Sequence, residues 1–133
     1  MQIDGACHCG RITFTAVVNP SKVNLCHCTD CQSLSGSPWR ASIPSLAADF
    51  RLISGAPRIY IKTAESGARR QQAFCADCGS PIYSAAEHDT PLYNIRLGVI
   101  RQRDQLSPGK QIWTSSALPW ASDITAVPGA SRG

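Results

Sequence analysis

Seven cysteines in three close-set groups constrain this 133-residue chain more than any other feature. They are Cys7 and Cys9 in ACHCG, Cys26, Cys28 and Cys31 in LCHCTDCQ, and Cys75 and Cys78 in FCADCG. An odd number of thiols cannot be fully paired as disulfides. Cys-x-Cys and Cys-x-x-Cys are instead the spacings at which two thiolates grip a soft cation, each pair supplying two corners of a tetrahedron. Zinc is the leading candidate. An iron–sulfur cluster on Cys26, Cys28 and Cys31 is the runner-up, because its ligands are also cysteines.

A closed structural site takes four protein ligands, so the simplest partition of seven is four plus three. Cys7, Cys9, Cys75 and Cys78 then close one site, which stitches the N-terminal strand to the middle of the chain and contributes directly to folding. Cys26, Cys28 and Cys31 leave the fourth corner of a second ion to water or a substrate thiolate, as at a catalytic metal. Gly79, just after the last cysteine, can adopt the backbone conformation that turns amides toward the sulfurs. His8 and His27 each sit between two cysteines. In extended backbone they point away from the ion their neighbours share, which leaves them a supporting or surface role. His88, in AEHDTP, reads as a surface residue of a turn.

The remainder of the chain reads as mainly β. Residues 11–18, RITFTAVV, put Ile12, Phe14, Ala16 and Val18 on one face with polar residues between them, the period of a half-buried strand. Further strand-like runs cover 23–27, 39–43, 50–53, 57–63, 69–75, 81–85, 92–98 and 111–115. Turn signals such as Ser54-Gly55-Ala56-Pro57 and Ser107-Pro108-Gly109 separate them. Helix is expected only as short turns, at 29–36 with Thr29 as N-cap and at 44–48. A chain of this length supports one core, so a single domain is expected over 1–124, with the small and polar residues 125–133 as a flexible tail.

No apolar run approaches the roughly 18 residues of a membrane span. The start, MQIDGACHCGR, lacks a basic segment followed by an apolar one, so the cytoplasm is the expected compartment, where stable disulfides are rare. The net charge is +4, but only Arg69-Arg70 and Arg101-x-Arg103 are clustered, which argues against a nucleic-acid footprint.

Taken in order, GACHCGRITF, CHCTDCQ, FCADCGSPIY and IWTSSALPW resemble the glutathione-dependent formaldehyde-activating enzyme family, also called the centromere protein V family, over about residues 4–124. The resemblance implies a β-tent of curved antiparallel sheets. It implies a structural zinc on Cys7, Cys9, Cys75 and Cys78, and a second zinc on Cys26, Cys28 and Cys31, the same partition that ligand counting gives. The implied reaction is of the carbon–sulfur lyase type, joining glutathione or a similar small thiol to an aldehyde such as formaldehyde. Two positions depart from the family pattern: Gln32, where a basic residue is common, and Gln111, where a histidine is common. Leu34 and Trp39 are candidates to wall the pocket, and Arg40 to pair with a carboxylate of the thiol. The alternative is a non-catalytic, zinc-stabilised binding or scaffold module. The oligomeric state stays open.

Overall fold

Ile12, Phe14, Ala16 and Val18 are all buried in the computed structural model, which describes residues 1–133. The alternation expected from the sequence therefore points inward along β2 (Thr13–Val17). β2 is the middle strand of a small antiparallel sheet, between β1 (Gln2–Ala6) and β5 (Arg51–Ser54). A second sheet of seven strands runs in the order β10-β3-β4-β9-β8-β7-β6. Its members are β3 (Val23–Cys26), β4 (Arg40–Leu46), β6 (Arg58–Thr63), β7 (Arg69–Phe74), β8 (Pro81–Ala86), β9 (Leu92–Arg96) and β10 (Pro108–Ile112). All its pairings are antiparallel except β10 with β3.

Register divides the large sheet into two unlike faces. Ile43, Ile95, Tyr83 and Ala73 stand opposite one another across β4, β9, β8 and β7, and they join Ile3, Phe14 and Ala16 of the small sheet in one hydrophobic core. Phe50 links the layers: its ring lies 5.8 Å from Phe14, stacks on Tyr93 at 4.5 Å and meets Tyr83 edge-on at 5.4 Å. Arg40, Ser42, Arg96 and Gln72, from alternate positions of the same strands, carry polar groups on the other face and are also buried. The large sheet is thus covered on both sides, once by hydrocarbon and once by polar side chains.

Several local expectations change. β1 lies before the first strand-like run of the sequence, 11–18, because QIDGA has little β-propensity. It forms because Gly5 pairs with Phe14 and bridges to Ile100, where any Cβ would collide with the Phe14 ring and the Val99 carbonyl. The single helix, α1 (Thr29–Ser35), is capped by Cys28 rather than Thr29, and Gly36 ends it in the left-handed conformation at φ 65°. Residues 44–46 of the expected second turn extend β4 instead, and only Ala47–Asp49 turn. The late strand lies at Pro108–Ile112, before the expected 111–115, because Trp113 takes φ 57° and breaks it. No helix is long and apolar enough to cross a membrane.

Candidate metal centres

The seven sulfurs group as four and three. Those of Cys7, Cys9, Cys75 and Cys78 all lie within 4.8 Å of one another, as do those of Cys26, Cys28 and Cys31. In the first group Cys7 and Cys9 are 3.5 Å apart, and Cys9 and Cys75 are 3.8 Å apart. A tetrahedron with zinc–sulfur arms of about 2.3 Å has edges of about 3.8 Å. The spacing therefore suits four thiolates around one ion and is far too long for a disulfide. The donor set, all sulfur, suits zinc.

Local backbone builds this group as two matched turns. The Cys7 amide donates to Ile12 O and the Gly10 amide to Cys7 O, each at 3.0 Å, so the chain folds back around His8 and Cys9. In the second turn the Cys75 amide donates to Ser80 O at 2.9 Å and the Gly79 amide to Cys75 O at 2.8 Å. Gly79 holds φ 76°, a conformation that costs glycine little. Polar groups then converge on the sulfurs: the Ile12 amide reaches Cys7 Sγ at 3.3 Å, and the Ser80 hydroxyl lies 3.3 Å from Cys78 Sγ. The same Ser80 oxygen accepts from the His8 amide at 3.0 Å, tying the turns together. The Ser80 hydroxyl and then its amide draw the Cys78 thiol down to about 5. Cys9 goes the other way: although the Arg11 amide lowers it, burial and the three neighbouring thiols push it up to about 12. Four sulfurs this close could be held as thiolates by a cation among them.

The second group is assembled at the end of β3 and the start of α1. Cys26 is the last residue of β3, Cys28 is the cap of α1, and Cys31 lies in its first turn. Cys28 Sγ accepts from the Cys31 amide at 3.3 Å. Burial first, and then the nearby thiols of Cys31 and Cys28, push the Cys26 thiol up to about 12. Against burial, the Cys31 amide, the other two thiols and the Lys62 charge lower Cys28. No histidine or carboxylate joins these three sulfurs. A metal held here keeps a position that the protein does not fill.

His8 and His88 are exposed, as expected, but His27 is 3% exposed and belongs to the interior. Its Nε2 donates to Gln111 Oε1 at 2.7 Å, and its ring meets Trp39 edge-on at 5.9 Å. Gln32 donates from one amide nitrogen to His27 O at 2.8 Å and to Ser116 O at 3.0 Å. Both departures from the family pattern thus bond to His27 and brace the loop between Cys26 and Cys28.

Two clefts flank the three-sulfur group. Cys28 lines the larger, about 630 Å3, together with Lys62, Trp113 and Ser116. Trp113 is held in the left-handed region, uncommon for an aromatic residue. The smaller, about 300 Å3, opens on the polar face of the large sheet between Leu34 of α1 and Gly79, with Arg40, Arg96, Gln72 and Tyr60 along it. Leu34 and Arg40 thus do line a cleft, and Trp39 an adjoining hollow. Arg96 and Gln72 escaped the sequence reading: a lone polar residue in LYNIR or RRQQAF reads as the wet side of a strand.

A family model described as glutathione-dependent formaldehyde-activating enzyme matches residues 2–116. A protein of Halomonas elongata, provisionally named as such an enzyme, is 31% identical over 87 residues, covering 62% of this chain and 55% of that protein. This chain therefore matches only about half the length of that relative. A protein of Schizosaccharomyces pombe named an uncharacterized lyase is 23% identical over 115 residues, 84% of this chain and 77% of its own. The crystal structure of a Rhodobacter sphaeroides protein superposes with a TM-score of 0.62 at 17% identity, over 81% of this chain and 98% of that one, a likeness of fold. The chain belongs to the glutathione-dependent formaldehyde-activating enzyme family.

Proposed function

We propose that the protein joins a small thiol, glutathione or a relative of it, to an aldehyde such as formaldehyde at a zinc site formed by Cys26, Cys28 and Cys31. In the same proposal Cys7, Cys9, Cys75 and Cys78 hold a second, structural zinc within a β-tent domain spanning 1–124. The many free thiols suit a reducing compartment, and we place the protein in the cytoplasm. One observation carries the catalytic assignment: three sulfurs converge within 4.8 Å with no fourth protein ligand, and Cys28 opens onto a cleft. Family membership supports the choice of thiol and aldehyde.

Zinc in such a site supplies a Lewis-acid position where a thiol gives up its proton near neutral pH. Cys26, Cys28 and Cys31 set that position, and α1 fixes two of them through the bond from the Cys31 amide to Cys28 Sγ. The large cleft beside Cys28 has room for an aldehyde and for the body of a tripeptide thiol. In the reaction the thiolate sulfur forms a bond to the carbonyl carbon, and the π pair of the carbonyl moves to oxygen. That oxygen takes up a proton, balancing the one released by the thiol. No electrons are gained or lost overall, and the reverse direction is carbon–sulfur cleavage.

Cobalt(II) in place of zinc makes thiol binding visible. Adding glutathione to the cobalt-loaded protein is expected to strengthen the sulfur-to-cobalt charge-transfer absorption as a fourth thiolate joins, and Cys28→Ser is expected to abolish the response. No spectral change with glutathione or any other small thiol at millimolar concentration overturns the enzyme assignment in favour of a zinc-stabilised scaffold.

A further inference from the structure

Lys62 is not used as a lysine on an outer strand ordinarily is. β6 is an edge of the seven-stranded sheet, a place where lysine usually stands in water. Here its side chain is only 21% exposed and crosses to α1, where the ammonium pairs with Asp30 Oδ2 at 2.8 Å. Asp30 lies in the first turn of that helix, between Cys28 and Cys31. The ammonium is brought beside the three-sulfur group although Arg70, of like charge, is the direct cross-strand partner of Lys62, an arrangement that destabilises a sheet. Against burial, its charge helps to lower the Cys28 thiol, after the Cys31 amide and the other two thiols.

Lys62 and Cys28 line the same cleft of about 630 Å3, and no other cation lines it. Asp30 is the one ion-pair partner of the ammonium, which has three donors, so N–H groups remain for a guest. Charge counting says which guest uses them. A divalent ion on three thiolates carries one net negative charge, and a substrate thiolate in the fourth position makes it two. When that sulfur attacks a carbonyl carbon, negative charge moves from sulfur onto the carbonyl oxygen. A fixed cation at that oxygen favours the transition state over the bound thiol, in which the charge still sits on sulfur.

We infer that Lys62 binds the aldehyde: its ammonium donates a hydrogen bond to the carbonyl oxygen and stabilises the negative charge that gathers there as the sulfur–carbon bond forms. The ammonium keeps its proton. The oxygen takes the proton it needs from water, balancing the one released by the thiol. This rests on the reaction proposed above, and it adds the residue that serves the aldehyde. A brace between β6 and α1 is the competing role for the same ion pair, and it makes a different demand. A brace needs Asp30 as much as Lys62, whereas the oxyanion needs the ammonium alone.

The test uses the full chain, zinc-loaded for exchange NMR of 13C-formaldehyde with glutathione and cobalt-loaded for glutathione binding. Lys62→Met keeps the stem and loses the charge. It is expected to slow exchange by roughly 100-fold, the effect of removing one oxyanion donor, while glutathione still saturates the cobalt spectrum at a concentration close to that for wild type. Lys62→Arg is expected to recover part of the rate. Asp30→Asn breaks the brace and leaves the ammonium, so it is expected to slow exchange far less than Lys62→Met. Thermal melts and metal analysis check each variant, and Lys62→Gln serves if the methionine variant does not fold. Exchange that Lys62→Met leaves unslowed, or that both variants slow equally, overturns the inference while wild-type catalysis stands. Glutathione binding lost in Lys62→Met also overturns it, by assigning the residue to the thiol. A wild-type protein that binds glutathione on cobalt but leaves exchange at the uncatalysed rate overturns the reaction, and this inference with it; no spectral change in wild type removes the thiol site as well.

Discussion

Cys28 caps the helix that carries Cys31: its sulfur accepts the Cys31 amide at 3.3 Å. A serine oxygen is a good helix cap but a poor zinc ligand. Cys28→Ser should therefore keep α1 and lose the metal of the three-sulfur site. Cys75→Ser removes a buried member of the group that joins β1, β2, β7 and β8, and the chain should fail to fold or turn insoluble. Metal analysis with circular dichroism distinguishes the two. Expected values are two zinc ions per wild-type chain and one in Cys28→Ser with native spectrum; equal loss of structure in both variants contradicts this division of labour.

Acid should release the two ions in separate steps. Thiolates hold metal and thiols do not, so each site empties as pH falls. The three-sulfur group gives its ion one protein ligand fewer than the four-sulfur group, so protons compete with its metal more easily. The three-sulfur site should empty first, at the higher pH. The four-sulfur site, with a fourth sulfur on its ion, should hold to lower pH. A zinc-responsive dye read alongside circular dichroism should show ellipticity changing only with the second step.

Gly5 is the point where β1 passes closest to its neighbours. A methyl there meets the Phe14 ring and the Val99 carbonyl. Gly5→Ala should cost roughly 3 kcal/mol, the upper end for overpacking, because one obstacle is backbone. Urea unfolding measures it, and a midpoint unchanged from wild type would show that β1 can shift freely.

Gln111 should matter through His27. Removing its side chain leaves the buried Nε2 of His27 unpaired, beside an Nδ1 that already has no partner. Gln111→Ala should lose about 2 kcal/mol, the cost of a stranded buried polar group. Gln111→His, which can still accept from the ring, should recover part of it. A neutral Gln111→Ala would show that water replaces the amide.

How much of this was legible beforehand depends on how local the signal was. The cysteine partition was readable because ligand number and spacing are written in short segments: Cys7 with Cys9, Cys75 with Cys78, and Cys26 with Cys28 and Cys31. β2 was readable because its alternation is uninterrupted. β1 was not, since QIDGA owes its conformation to Phe14 and Ile100, residues distant in sequence. The cap of α1 was misassigned because threonine is a common cap, whereas here Cys28 takes the role alongside its place among the sulfurs. Arg96 was invisible as a cleft-lining residue for a different reason. Its meaning lies in a missing partner, and no sequence shows that nine acidic residues all lie beyond reach of it.

The proposed reaction is tested most directly by exchange NMR of 13C-formaldehyde with glutathione at equilibrium, with and without the zinc-loaded protein. Adduct and free aldehyde interconvert slowly enough to give separate signals, and their exchange rate reports catalysis without a coupled enzyme. The expected result is an exchange rate that rises in proportion to protein concentration and returns to the uncatalysed value with Cys28→Ser. An exchange rate unchanged by millimolar amounts of folded, two-zinc protein, with glutathione and with 3-mercaptopropionate alike, contradicts it.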